Sequence, residues 1–249
     1  MVSTVDALFK HKNSAIPDIQ EMPEMVRKDF DERVAPAQKA KGELMGDAVA
    51  IEEVMKDEAS YRFYSTLRYN AQEMCFQSVQ EPIERALPGM IDVAKAAIQR
   101  NPAGGSLKLD PSLAIPDYVS RLDVHLTPGC FHSEWVEDDV AQGAVVSLGA
   151  RVFSASMSHR SWGGVAKVIS RWLKHERPDF APVRILDIGT SSAKNLVPYV
   201  EAFPGTEAHG VDVAAPLLRY GHAIAEHEGI ALHLSQQNAE ALDFPDGHF

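Results

Sequence analysis

The sequence predicts an α/β protein, a mainly helical N-terminal module followed by a parallel sheet represented by its first three strands. Three observations carry this. Apolar runs at 183–188, 207–213 and 230–235 alternate with helix-period stretches at about 193–203 and 216–228, and such β-α-β-α-β alternation gives parallel strands joined by right-handed crossovers. The first run ends in a loop of small residues, Gly189-Thr190-Ser191-Ser192-Ala193. Upstream, from about Ile19 to Gln99, charged residues alternate with Ala, Met, Leu and Val at helical spacing.

Taken in order, the N-terminal helices are expected to break near Pro36, Pro82 and Pro88, because proline removes a helical N–H. Tyr61, Phe63, Tyr64, Leu67 and Met74 recur at spacings of three and four and form a candidate packing stripe. Asn101-Pro102-Ala103-Gly104-Gly105-Ser106 and the Pro-containing stretch through Pro116 read as a turn cluster or linker. Tyr118 to Leu126 is compatible with a short strand ending at the turn Thr127-Pro128-Gly129. Asp138 to Met157 reads as a helix opened by acidic residues. A further helix from about Trp162 to His175 places Val165, Ile169, Trp172 and Leu173 on one face and stops before Pro178. The expected division is a helical module over 1–158, serving as substrate lid or dimerisation element, and an α/β domain over 159–249.

Composition narrows the function. The 45% hydrophobic content supports a packed core, and the formal net charge of −11 argues against a broad nucleic-acid surface, which needs clustered Lys and Arg. Only Cys75 and Cys130 are present, in no C-x-x-C spacing, so neither a disulfide framework nor a thiolate zinc site is indicated. No apolar run reaches the length of a signal peptide or a membrane span. The expectation is a cytoplasmic protein that acts on a small molecule and binds neither membrane nor nucleic acid.

The chemistry concentrates after the first strand. A ligand loop there must turn sharply, admit a ligand to the backbone and present N–H groups, which small residues allow. The dinucleotide pattern G-x-G-x-x-G would need glycine at 191 and 194, which hold Ser and Lys. The alternative D-x-G-x-G-x-G, with small residues in its last positions, maps onto Asp187, Gly189, Ser191 and Ala193. Ser191 and Ala193 add β-carbons where the backbone is expected to need positive φ or close ligand approach. Asp212, an acidic residue, ends the second apolar run, as in other doubly wound nucleotide sites.

Four segments together carry a resemblance: Val183 to Gly189, His209-Gly210-Val211-Asp212-Val213, Asn238-Ala239-Glu240, and Phe244-Pro245-Asp246-Gly247-His248-Phe249. In them the chain resembles the first half of a class I S-adenosylmethionine-dependent methyltransferase, of the type 11/12-like, Rossmann-like kind. The resemblance implies S-adenosylmethionine as cofactor, with Asp187, Gly189, Thr190 and Ser191 around its methionine end. Asp212 would hold the ribose, Val213 would cover the adenine face, and Asn238 and Ala239 would address the adenine edge. It also implies methyl transfer to a small-molecule acceptor. In such families the last phrase runs on into a fourth strand, so the resemblance further implies a fragment, inactive alone, whose first strand is left with an open edge.

Other constellations are weaker. Asp123, His125, Cys130 and His132 invite a metal reading but match no recognised ligand spacing, and structural or acceptor-side roles stand beside it. His159, Arg160 and Trp162 are candidates to reach over the cofactor. No G-x-S-x-G elbow, P-loop or H-E-x-x-H motif occurs. No catalytic residue and no metal ligand is assigned. A homodimer through the N-terminal module is a further expectation. Two other readings stay open: a nicotinamide-dependent oxidoreductase using the same Asp212, and a non-catalytic interaction protein with a degenerate α/β half.

Overall fold

The computed structural model describes residues 27–28, 31–32, 48–123, 125–155 and 164–249. His159, Arg160 and Trp162 lie outside the described residues. The chain divides into two compact units, one within 1–74 and one within 75–249. In chain order the elements are α1 (Ala48–Met55), α2 (Ala59–Arg100), β1 (Ser106–Lys108), α3 (Asp117–Ser120), α4 (Ala141–Ala155), α5 (Gly164–Glu176), β2 (Arg184–Ile188), α6 (Val197–Ala202), β3 (Glu207–Asp212), α7 (Ala215–Glu228) and β4 (His233–Gln236).

The expected breaks at Pro82 and Pro88 do not occur, since α2 runs through both. Both prolines are exposed, as are Ser78 and Glu84, whose carbonyls lose their helical donors, so water can satisfy them. The opposite face carries a buried ladder, Cys75, Val79, Ile83, Leu87 and Ala94. Val79 to Ala94 packs against Val140, Ala141, Ala144, Val145 and Ala223, and that burial keeps the helix continuous through positions where propensity would end it. Of the earlier candidate stripe, Phe63 and Met74 are exposed and Tyr61, Tyr64 and Leu67 are half-buried.

The four-stranded sheet is wholly parallel in the order β1-β4-β3-β2. The three C-terminal strands are those read from the sequence. The fourth, β1, falls inside the stretch expected to be linker. Ser106 pairs with His233, Leu107 with Leu234 and Lys108 with Ser235. A buried carboxylate fixes this strand: Glu226 accepts the Ala103 N–H on Oε2 (2.8 Å) and the Gly105 N–H on Oε1 (2.9 Å). Gly105 cannot carry a side chain, since a β-carbon there would stand 2.6 Å from both Glu226 Oε1 and the Leu232 carbonyl. A three-residue strand between glycines and prolines has no periodicity to read, and its partner lies far along the chain.

β1 packs on β4, and α4 packs on α7. The division between the compact units falls after Met74, and position 158/159 lies within the second unit. The expected strand over 118–126 is replaced by the short helix α3. α4 begins at Ala141, where the Asp139 carboxylate accepts the Ala141 N–H at 2.6 Å, and not at Asp138, whose φ of 58° is not helical. α6 is shorter than expected because Ala193 has a φ of 58°, so the turn continues to Leu196 before the helix starts with Pro198 in its first turn. α7 ends at Gly229, whose φ of 73° and N–H cap the last turn. Ala208, Leu218, Ala225, Leu232 and Leu234 form the core between the sheet and α7. Among the described residues, no helix is long and apolar enough to cross a membrane.

Candidate functional site

Parallel strands bring their carboxyl ends to one side of the sheet, and the register sets Ile188 beside Val211 and Asp212 beside Gln236. The eight residues singled out from the sequence, Asp187, Gly189, Thr190, Ser191, Asp212, Val213, Asn238 and Ala239, thus fall at the ends of β2, β3 and β4.

The loop after β2 is a chain of left-handed turns, with Gly189 at φ 70°, Ser191 at 54° and Ala193 at 58°. Both non-glycine positions flagged in the sequence adopt the backbone that favours glycine, at a strain of about 1 kcal/mol each. Two glycines elsewhere make room for it. A β-carbon on Gly210 would stand 2.8 Å from the Thr190 side chain, and one on Gly221 would stand 2.6 Å from the Ser192 carbonyl oxygen. At Gly189 itself a β-carbon would meet nothing within 4 Å, so the space in front of the strand end is open.

Asp212 organises the centre. Its Oδ2 accepts the Ser191 N–H at 2.8 Å and its Oδ1 accepts the Ala214 N–H at 3.0 Å. Burial pushes its carboxyl above the usual range, opposed by the N–H groups of Ala214, Ser191 and Val213 and reinforced by the Asp187 charge. Three N–H groups leave the carboxylate one of its four lone-pair sites. Asp187 is also pushed up by burial, against the Thr190 hydroxyl, which donates to its Oδ2 at 2.8 Å. Asp187 lines a cleft of about 360 Å³ with Ile169, Leu173, Leu186, Asn195 and Tyr199. Asp212 does not line it.

The N–H groups of the loop are largely committed within the protein. Those of Gly189 and Thr190 both donate to the Val211 carbonyl at 2.9 Å, and that of Ser191 goes to Asp212. The loop in this conformation therefore offers a ligand the Asp187 carboxylate and the open space at Gly189 more than backbone donors. Asn238 Oδ1 accepts the Glu240 N–H at 3.0 Å in a local turn, and Ala239 is exposed beside it.

The structure adds residues the sequence did not single out. Gln236 Nε2 donates to the Val213 carbonyl at 2.9 Å while its Oε1 accepts the Asp110 N–H at 3.0 Å. The Gln237 N–H donates to the Asp212 carbonyl at 3.0 Å, which seats Asn238 beside the end of β3. Lys194 reaches Ser147 of α4 with Nζ 2.9 Å from Oγ, and burial lowers its pKa, helped by Arg151. The paired glutamines between a strand and Asn238 were the available signal. Lys194 gave none, since its partner lies on a distant helix.

Three of the four metal candidates make contacts within the chain. Asp123 Oδ1 accepts the His125 N–H at 3.2 Å, His125 packs on Phe131 with ring centroids 4.6 Å apart, and Cys130 Sγ lies 3.7 Å from the Val119 carbonyl. Among the described residues, no group of three His, Cys, Asp or Glu side chains is placed to hold a metal ion.

No protein-family model matches the chain. Its sequence is 39% identical over 69 residues to a demethylmenaquinone methyltransferase of Thermus thermophilus, a match covering 28% of this chain and 31% of that protein. The chain thus spans about a third of the length of the curated relative it matches. Among solved structures it is similar to a SAM-bound amino pentose methyltransferase from Micromonospora echinaspora, at 25% identity, with a TM-score of 0.28 and 37% of each chain covered.

Proposed function

We propose that residues 159–249 carry the cofactor-binding part of a class I S-adenosylmethionine-dependent methyltransferase, acting on a small-molecule acceptor. The observation that carries this reading is the left-handed small-residue loop after β2, tied through the Ser191 N–H to Asp212 at the end of β3. The 39% identity to a methyltransferase supports it.

The side chains fit the cofactor's parts. Asp187 supplies a buried acceptor for an ammonium, and Asp212 presents a carboxylate at the end of β3 that can take a ribose hydroxyl. Val213, Asn238 and Ala239 flank the place of an adenine. The cofactor, when bound, supplies an activated methyl group on a sulfonium centre. The chain's own part is alignment of the acceptor and exclusion of water, which accounts for catalysis without an assigned base.

Calorimetric titration of the chain with S-adenosylhomocysteine tests the reading. Asp212→Ala should weaken binding at least about tenfold, roughly 1.4 kcal/mol, and NAD should not compete. Because the Asp212 carboxyl is raised by burial, affinity should fall on acidification before the ordinary carboxylate range is reached. Equal binding by the Ala variant, or displacement by NAD, would refute the assignment and favour the oxidoreductase reading.

A further inference from the structure

The cleft of about 360 Å³ that Asp187 lines joins an apolar wall to a carboxylate. It is bounded by α5, by β2 and by the start of α6, and α5 packs on α6. Val165, Ile169 and Leu173 follow one another at four-residue spacing along α5, so they form one row on that helix. Phe180 and Leu186 line the same space. The row is largely uncovered among the described residues, with Val165 74% and Ile169 41% exposed.

Asp187 and Tyr199 bring polar groups to this apolar space. The Asp187 carboxylate is half-buried, and among the described residues its one hydrogen bond is the one from the Thr190 hydroxyl, with no cation to balance its charge. The Tyr199 hydroxyl is pushed up first by burial and then by the Asp187 charge, which puts it within electrostatic reach of that carboxylate. A carboxylate drawn partly out of water without a counter-ion is destabilised until a cation meets it. The Tyr199 and Phe180 rings line the same cleft, and aromatic faces attract cations as well. An anion would be repelled by Asp187, and a neutral apolar molecule would leave its charge unbalanced.

We propose that this cleft binds an amphiphilic amine, an organic cation whose ammonium group meets Asp187 and whose alkyl or aryl body lies along the row of Val165, Ile169 and Leu173. The charge of the head follows from the uncompensated carboxylate and the character of the body from the uncovered row. Neither argument rests on the methyltransferase reading. Where that reading also holds, Asp187 receives the ammonium of S-adenosylmethionine too, so the amine and the cofactor exclude one another.

The test uses the full chain and two probes of one shape, 2-phenylethylamine, a cation at neutral pH, and the uncharged 2-phenylethanol, titrated by NMR while the Tyr199 and Ile169 resonances are followed. The amine should bind at least about tenfold more tightly than the alcohol. Asp187→Asn, which keeps an oxygen for the Thr190 hydroxyl, should erase that preference. Ile169→Ser, at an exposed position of α5, should weaken both probes about two- to fivefold and leave the preference in place. Failure of the amine to bind, equal affinity for amine and alcohol, or a preference that survives in Asp187→Asn would overturn the proposal. So would self-association through α5 that shuts the amine out, since the row would then belong to a second copy. Displacement of the amine by S-adenosylhomocysteine supports both readings. Amine binding without any binding of S-adenosylhomocysteine keeps this site and removes the methyltransferase reading.

Discussion

Along β4 the sheet is closed by β1, a strand drawn from far upstream and fastened by Glu226 to a glycine 121 residues away in sequence. Along β2, among the described residues, the only ladder is the one with β3. Val183 and Ile188 are exposed there, and on α5, the helix just before this strand, Val165 is 74% and Trp172 57% exposed. The faces of α5 explain part of this. The residues it buries are Ala166 and Ser170, whereas the branched and aromatic positions Val165, Ile169 and Trp172 stand mostly in water. One edge is thus secured by polar contacts made in the interior, and the other keeps its apolar surface outside. An open strand edge with apolar neighbours is a template for association.

The largest effect should come from the closed edge. Glu226→Ala strips two N–H groups, the half-buried one of Ala103 and the buried one of Gly105, of their acceptors. The expected loss is about 3 kcal/mol of stability, measured by urea denaturation. Glu226→Gln keeps an acceptor oxygen and should lose less. Equal stability of the Ala variant and the parent would mean that the β1 connection is not what closes this edge.

Acid should also act on the closed edge. His209 and His233 lie with ring centroids 5.1 Å apart on neighbouring strands, His248 and the Phe244 and Phe249 rings cluster against His209, and His233 Nδ1 is 2.9 Å from Ser106 Oγ of β1. Burial depresses the His209 pKa, opposed by Glu207 and helped by His233 and His248; burial likewise depresses His222, opposed by Glu226. The folded state therefore favours neutral rings. Stability is full above the ordinary histidine pKa and falls as pH drops through it toward the depressed values. Urea midpoints should decrease from about pH 7.5 to about pH 5.5, and His209→Phe should flatten the decline. A midpoint that does not change over this range would remove the histidine cluster from the account.

What was legible in the sequence follows the same division. The βαβαβ order and the carboxyl-end placement of Asp187, Asp212 and Asn238 were readable because short-range periodicity and small-residue spacing encode them. The positive φ at Ser191 and Ala193 was readable too, since a glycine pattern filled by other residues announces strain. β1 and the Glu226 clamp were not, because each depends on partners far apart in the chain. The prolines in α2 misled for the opposite reason: a strong local signal was overridden by the buried ladder from Val79 to Ala94.

The smallest effect on folding, and the sharpest contrast, belongs to the open edge. Trp172→Glu replaces an exposed aromatic side chain of α5 whose removal from water contributes little to the fold, so stability should change by no more than about 0.5 kcal/mol. Association should respond instead. If the apolar side chains of α5 and the unpaired side of β2 draw chains together, the parent should show a concentration-dependent rise in sedimentation coefficient that the Glu variant lacks, because a charge on that face opposes burial. Ile188→Lys, placed on the strand itself, should act in the same direction. A large loss of stability in Trp172→Glu would show that this surface is already packed within one chain, and the two edges would then no longer differ.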